Sequence, residues 1–84
     1  MTLTAELSLY PLNADYIPVI QSLIDDLNSR DGLKIVTNAM STQIQGEHGS
    51  VMSAVSDTLR ASAAKFGSSQ VLVCKFIPMD LDIA

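Results

Sequence analysis

The chain has no tryptophan, one cysteine, one histidine and only five basic residues among its 84. Each scarcity removes a class of function. A single cysteine, Cys74, can close no internal disulfide and can build no thiolate metal or iron–sulfur cage within one subunit, so it reads as a small buried hydrophobe. The one histidine, His48, has neither a second histidine nor a cysteine pair with which to complete a metal site, and reads as a solvated loop residue. Lys34, Lys65, Lys75, Arg30 and Arg60 are scattered, and the net charge is −4. Nucleic-acid binding depends on clustered cations, so that partner class is excluded. No apolar run is long enough to span a bilayer, and the first residues enter a strand with no charged or apolar leader pattern. The sequence therefore reads as neither exported nor membrane-embedded, and the lone thiol points to a reducing cytoplasm.

What is present is apolar. Hydrophobic residues make up 48% of the chain and charged ones 17%. A single domain of this length buries only about 60% of the surface its unfolded chain exposes, so self-association would help it. Thr4-Ala-Glu-Leu-Ser-Leu-Tyr-Pro11 alternates strictly. Ala5, Leu7 and Leu9 fall on one face and Thr4, Glu6, Ser8 and Tyr10 on the other, the period of a half-buried strand that Pro11 ends. Asn13 or Asp15 is placed to cap a helix carrying Ile17, Ile20, Ile24 and Leu27, with Pro18 tolerated in its first turn and Gly32 as the stop. Leu33 to Thr37 reads as a second strand. Asn38 to Ser41 carries a hairpin turn, and Thr42 to Gln45 alternates again. A second helix starts near Ser50, presents Val51, Val55, Leu59 and Phe66 at helical spacing, and ends at Gly67. Gln70 to Pro78 is the last strand, apolar on both sides except for Lys75, which predicts cover on both faces. The residues after Pro78 read as an acidic tail.

This βαββαβ order predicts an α+β, ferredoxin-like domain: a four-stranded antiparallel sheet with two helices on one face, spanning 1–84 with its core at about 4–77. In the 4-1-3-2 strand order the first strand is central, so Glu6, Ser8 and Tyr10 line the middle of the open face. That face offers a carboxylate at Glu6, hydroxyls at Ser8 and Thr42, and flat or adaptable apolar contact at Tyr10, Met40 or Phe76. The set suits a cationic or aminopyrimidine ligand. One residue of slip in the hairpin exchanges Thr42 and Ile44 for Ser41, Gln43 and Gln45 on that face, and alternation does not choose between them. No activated nucleophile, paired acid and base, or metal cluster is evident, so an enzyme is not expected.

These residues also resemble a known family. Ala5-Glu-Leu-Ser-Leu-Tyr-Pro-Leu12 and Met40-Ser-Thr-Gln-Ile-Gln-Gly46 are similar to the opening strand and the hairpin of the small thiamine-binding proteins of the YkoF and MTH1187 type. The resemblance implies a ferredoxin-like subunit that dimerises through its sheet, often forms a tetramer, and binds thiamine or its hydroxymethylpyrimidine part without catalysis or a cofactor, in salvage or transport. Ser41, Gln45 and Asn13 depart from the usual glycine, glutamate and glycine. On this reading Glu6 takes the amino group or positive charge, Ser8 and Thr42 the ring nitrogens and Asn38 orients the ligand, while Tyr10, Met40 or Phe76 covers the ring. The competing readings are a regulatory metabolite-binding module and a structural oligomerisation domain with no small ligand.

Overall fold

A computed structural model describes residues 1–83. The elements run β1 (Thr2–Pro11), α1 (Ile17–Asn28), β2 (Lys34–Thr37), β3 (Thr42–Glu47), α2 (His48–Phe66) and β4 (Gln70–Ile77). They form one four-stranded antiparallel sheet in the order β2-β3-β1-β4, the ferredoxin-like arrangement that the sequence predicts. β1 is central because its Leu3, Ala5, Leu7 and Leu9 need cover that only neighbours on both sides and helices above can supply. All four are buried, against Val19, Leu23 and Leu27 of α1, Val51 and Ala54 of α2, and Ile44 of β3.

The buried stripe of α1 is rotated from the expected one, and on α2 Val51, Val55 and Phe66 pack on the core as expected while Leu59 does not. On α1 the buried positions are Val19, Leu23 and Leu27, while Ile17 is 66% exposed and Ile20 and Ile24 are half-buried. The apolar face of this helix is wider than the core requires, and the surplus lies along one side. Nor do Asn13 and Asp15 cap it: Tyr16 occupies the N-cap with no side-chain bond, and the helix end at Ser29 precedes a turn where Gly32 adopts φ 79°. On α2 the buried residues are Val51, Ala54, Thr58 and Ser62, and Leu59 is 37% exposed. The small polar side chains buried on this helix have their hydroxyls satisfied. Thr58 donates to the Ala54 carbonyl at 2.7 Å and Ser62 to Gln70 Oε1 at 2.7 Å, so burial costs no unmade bond.

Two further expectations change. β4 is an edge strand, and Val71, Val73, Phe76 and Ile77 all stay exposed, so the chain does not cover it on both faces. The C-terminal residues are not a loose acidic tail. After a tight turn in which the Met79 N–H donates to the Ile77 carbonyl at 2.8 Å, they return across the open face of the sheet and bury Ile83. Thr4 donates to the Met79 carbonyl at 2.9 Å, and Gln45 Nε2 donates to Thr4 Oγ1 at 2.9 Å and to the Leu81 carbonyl at 2.6 Å. The open face is thus split between a covered end at Thr4 and Gln45 and a bare end at Tyr10, Val71 and Val73.

Candidate ligand-binding site

Register decides which groups can meet. Ala5 pairs with Ile44 and Leu7 with Thr42, whereas Glu6 pairs with Gln43 and Thr4 with Gln45. Since residues opposite each other share a face, Thr42 points to the helix side and Gln43 and Gln45 share the open face with Glu6. Thr42 and Glu6 therefore cannot serve one ligand on the open face. By the same rule Ala5 pairs with Phe76 and Glu6 with Lys75, which places Phe76 on the helix side at the outer edge of the sheet.

Pairing between β1 and β3 stops at Leu7 and Thr42, yet β1 continues beside β4 as far as Pro11. The result is a notch. Over Ser8 to Tyr10 one edge of β1 has no strand beside it, so backbone donors and acceptors on that edge are free for another group. The hairpin loop 38–41 forms one wall, and Ile20, Leu23 and Ile24 of α1 form the opposite one. Together they enclose a cavity of about 130 Å³. The surplus apolar side of α1 faces this space. At the floor Thr42 is only 5% exposed, and its Oγ1 lies 3.1 Å from Thr37 Oγ1. One hydroxyl donates to the other, which leaves a single hydroxyl proton for an incoming acceptor.

The loop wall is held by polar bonds. Asn38 Oδ1 accepts from the N–H groups of Met40 at 2.8 Å and Ser41 at 3.0 Å, and the Asn38 N–H donates to the Ser41 carbonyl at 3.0 Å. This is the side-chain turn that asparagine forms most readily. Met40 at its tip is 85% exposed. Ser41 Oγ donates to Glu6 Oε2 at 3.1 Å, and Lys75 Nζ lies 3.7 Å from Glu6 Oε1.

Of the residues singled out from sequence, Ser8, Tyr10, Asn38, Met40 and Thr42 meet at this cavity, while Glu6 and Phe76 do not line it. Sequence reasoning missed Ile20, Leu23, Ile24 and Thr37, and weighed Ser41 only as an alternative to Thr42. A signal for the isoleucines was present in the chain: α1 carries two adjacent apolar stripes where one would close the core. Elsewhere, among the described residues, no group of three or more histidine, cysteine or acidic side chains is placed to hold a metal ion. No helix among them is long and apolar enough to cross a membrane. Burial pushes the Cys74 thiol above its ordinary value, which makes it a poor nucleophile.

Fold and cavity define a small ferredoxin-like domain with a notch of about 130 Å³ at the end of its sheet. Over residues 2–76 the sequence matches the YkoF-related family, and the chain belongs to that family. Among curated proteins none matches it. Among solved structures, a Streptococcus pneumoniae protein superposes with a TM-score of 0.87 at 21% identity, over 99% of this chain and 93% of its own. A Methanocaldococcus protein gives 0.80 at 24% identity, over 99% and 84%. A Thermotoga maritima protein provisionally assigned to thiamine biosynthesis or salvage gives 0.80 at 23% identity, over 90% and 82%. At these identities the likeness carries the fold alone.

Proposed function

We propose that the protein binds thiamine or its hydroxymethylpyrimidine part without catalysis, as a cytoplasmic carrier in thiamine salvage or transport, and that it works as a dimer or tetramer without a cofactor. The observation that carries this reading is the notch itself. An apolar cavity of about 150 Å³ takes one benzene-sized ring, so the present 130 Å³ suits one heteroaromatic ring and not a whole two-ring vitamin. An aminopyrimidine offers an amino donor beside a ring-nitrogen acceptor. In an antiparallel strand the N–H and C=O of one residue point to the same side, so the free β1 edge presents the complementary pair. The outward hydroxyl proton of the Thr37–Thr42 pair serves a second ring nitrogen, Asn38 Nδ2 adds a donor, and Ile20 and Ile24 flank the ring. Membership in the YkoF-related family supports the choice of ligand.

The cavity lining contains no lysine, arginine, aspartate or glutamate. A thiazolium cation gains nothing there, so in this reading it stays outside the mouth, near Met40 and Tyr10. Hydroxymethylpyrimidine alone then supplies most of the affinity. Calorimetric titration of thiamine and of hydroxymethylpyrimidine tests this directly, with comparable dissociation constants expected. Failure of both to bind at millimolar concentration would sink the reading and leave a different metabolite. Self-association is supported by the bare patch of Tyr10, Val71 and Val73 on adjoining strands. Sedimentation equilibrium of the wild type and of Val73→Glu tests it, with the variant expected to dissociate.

A further inference from the structure

The geometry points to Glu6 as a positioning residue for the cavity, acting through Ser41 and touching no ligand itself. The inference rests on the binding reading for one of its two readouts and stands without it for the other. Glu6 lies on the open face, while the cavity floor at Thr42 is on the helix face, and Glu6 is not among the lining residues. Both of its carboxylate oxygens already have partners: Oε2 accepts from Ser41 Oγ at 3.1 Å and Oε1 faces Lys75 Nζ at 3.7 Å.

Ser41 is the residue through which the loop can be steered. It lines the cavity, directly precedes Thr42 in the chain, and is held from inside the loop by its N–H bond to Asn38 Oδ1 at 3.0 Å. Its hydroxyl is held from outside by Glu6, which sits on the central strand between Gln43 of β3 and Lys75 of β4. The other bonds of loop 38–41 run within the loop itself and do not tie it to the sheet. Residues 38–40 are exposed, and the β2–β3 ladder ends at Thr37 and Thr42. A segment with few buried contacts keeps its shape through such polar ties, and a bond to a carboxylate is stronger than one between neutral groups. A wall already in place need not be ordered when a ligand enters, so the tie is worth affinity without any contact to the ligand.

The test compares the wild type with Glu6→Ala, Ser41→Ala, the double variant and Glu6→Gln. Two quantities are measured: hydrogen exchange of the Met40 and Ser41 amides in ligand-free protein, and the calorimetric dissociation constant of hydroxymethylpyrimidine. Each alanine variant should speed exchange at both amides and weaken binding on the order of fivefold. The double variant should be no worse than either single one, because both remove the same bond. Glu6→Gln keeps a carbonyl acceptor and should recover most of both losses. Multiplying losses in the double variant would overturn the proposal. So would a Glu6→Ala protein that loses affinity with amide protection unchanged, since Glu6 would then touch the ligand. If the wild type binds no pyrimidine, the binding reading alone fails. The exchange data then decide: faster exchange in both alanine variants supports the positioning role, and unchanged protection overturns it.

Discussion

Gln45 Nε2 lies 2.6 Å from the carbonyl oxygen of Leu81 and 2.9 Å from Thr4 Oγ1. Direction is forced throughout this chain of bonds. The Leu81 and Met79 carbonyls can only accept, so Gln45 must spend an N–H on Leu81 and Thr4 must spend its proton on Met79, which leaves Thr4 Oγ1 free to accept from Gln45. A glutamate at this position has no proton to donate. Gln45→Glu should therefore release the C-terminal segment and cost about 1–3 kcal/mol, the penalty for partly buried acceptors left facing a carboxylate. Urea unfolding measures the loss, and carboxypeptidase digestion should run faster past Ile83. Unchanged stability and unchanged digestion would show that the segment is held by something else.

Gly46 is required for space and not for backbone freedom. A Cβ there would stand 2.8 Å from the Gly32 carbonyl oxygen and 3.0 Å from Leu33 Cδ2. The oxygen belongs to backbone and cannot swing aside. Gly46→Ala should destabilise by about 1–3 kcal/mol through overpacking, whereas Gly49→Ala, with nothing within 4 Å, should be neutral or slightly stabilising in its helix. Thermal unfolding of the two variants side by side gives the comparison. Equal midpoints would contradict the close approach of β3 to the turn after α1.

Thr42→Val preserves shape and removes the floor hydroxyl. Thr37 is exposed and can turn to water, so the stability cost should stay near 1 kcal/mol. Affinity for hydroxymethylpyrimidine should fall about tenfold, since the Thr37 hydroxyl, released from Thr42, is no longer held toward the ring nitrogen. Calorimetry on a variant shown to be folded separates the two effects. Full affinity in Thr42→Val would move the ligand off this floor.

Cys74 is half-buried against the core, and burial raises its thiol above the ordinary value. Its alkylation at pH 8 should be slower than that of a free thiol, and should recover in urea. The stability consequence has a definite sign. The folded state disfavours the thiolate, so the unfolded chain loses this proton first, and the contribution of Cys74 to stability is fully present below the ordinary thiol value and declines as pH rises through it. Cys74→Ala should remove that alkaline decline. A decline that persists in the variant would assign it to other groups.

Much of the fold was legible because its signals are local. Strict alternation in residues 4–10 marks a strand with one wet face, and glycines at 32 and 67 mark the ends of helical runs. The helix faces were less so. A count of apolar residues at spacings of three and four does not distinguish Val19, Leu23 and Leu27 from Ile17, Ile20 and Ile24, because both stripes are present. Only the packed sheet shows which stripe it takes. On α2 the stripe of Val51, Val55 and Phe66 meets the core, but Leu59 is exposed and the small residues Ala54, Thr58 and Ser62 are buried.

The candidate site was half legible for the same reason. Chemistry-bearing residues near Ser8, Asn38 and Thr42 could be recognised one by one, but their grouping depends on register, and register depends on contacts between segments far apart in the chain. By itself the sequence determined the element order and the central strand with its polar and apolar faces, since periodicity is a property of the chain alone. Tertiary structure decided that Thr42 and Glu6 lie on opposite faces, that β1 outruns β3 to leave a notch, and that the C-terminal segment folds back over Thr4 and Gln45. These are relations between residues 35 or more apart in the chain, and alternation carries no information about which residue of one strand will face which residue of another.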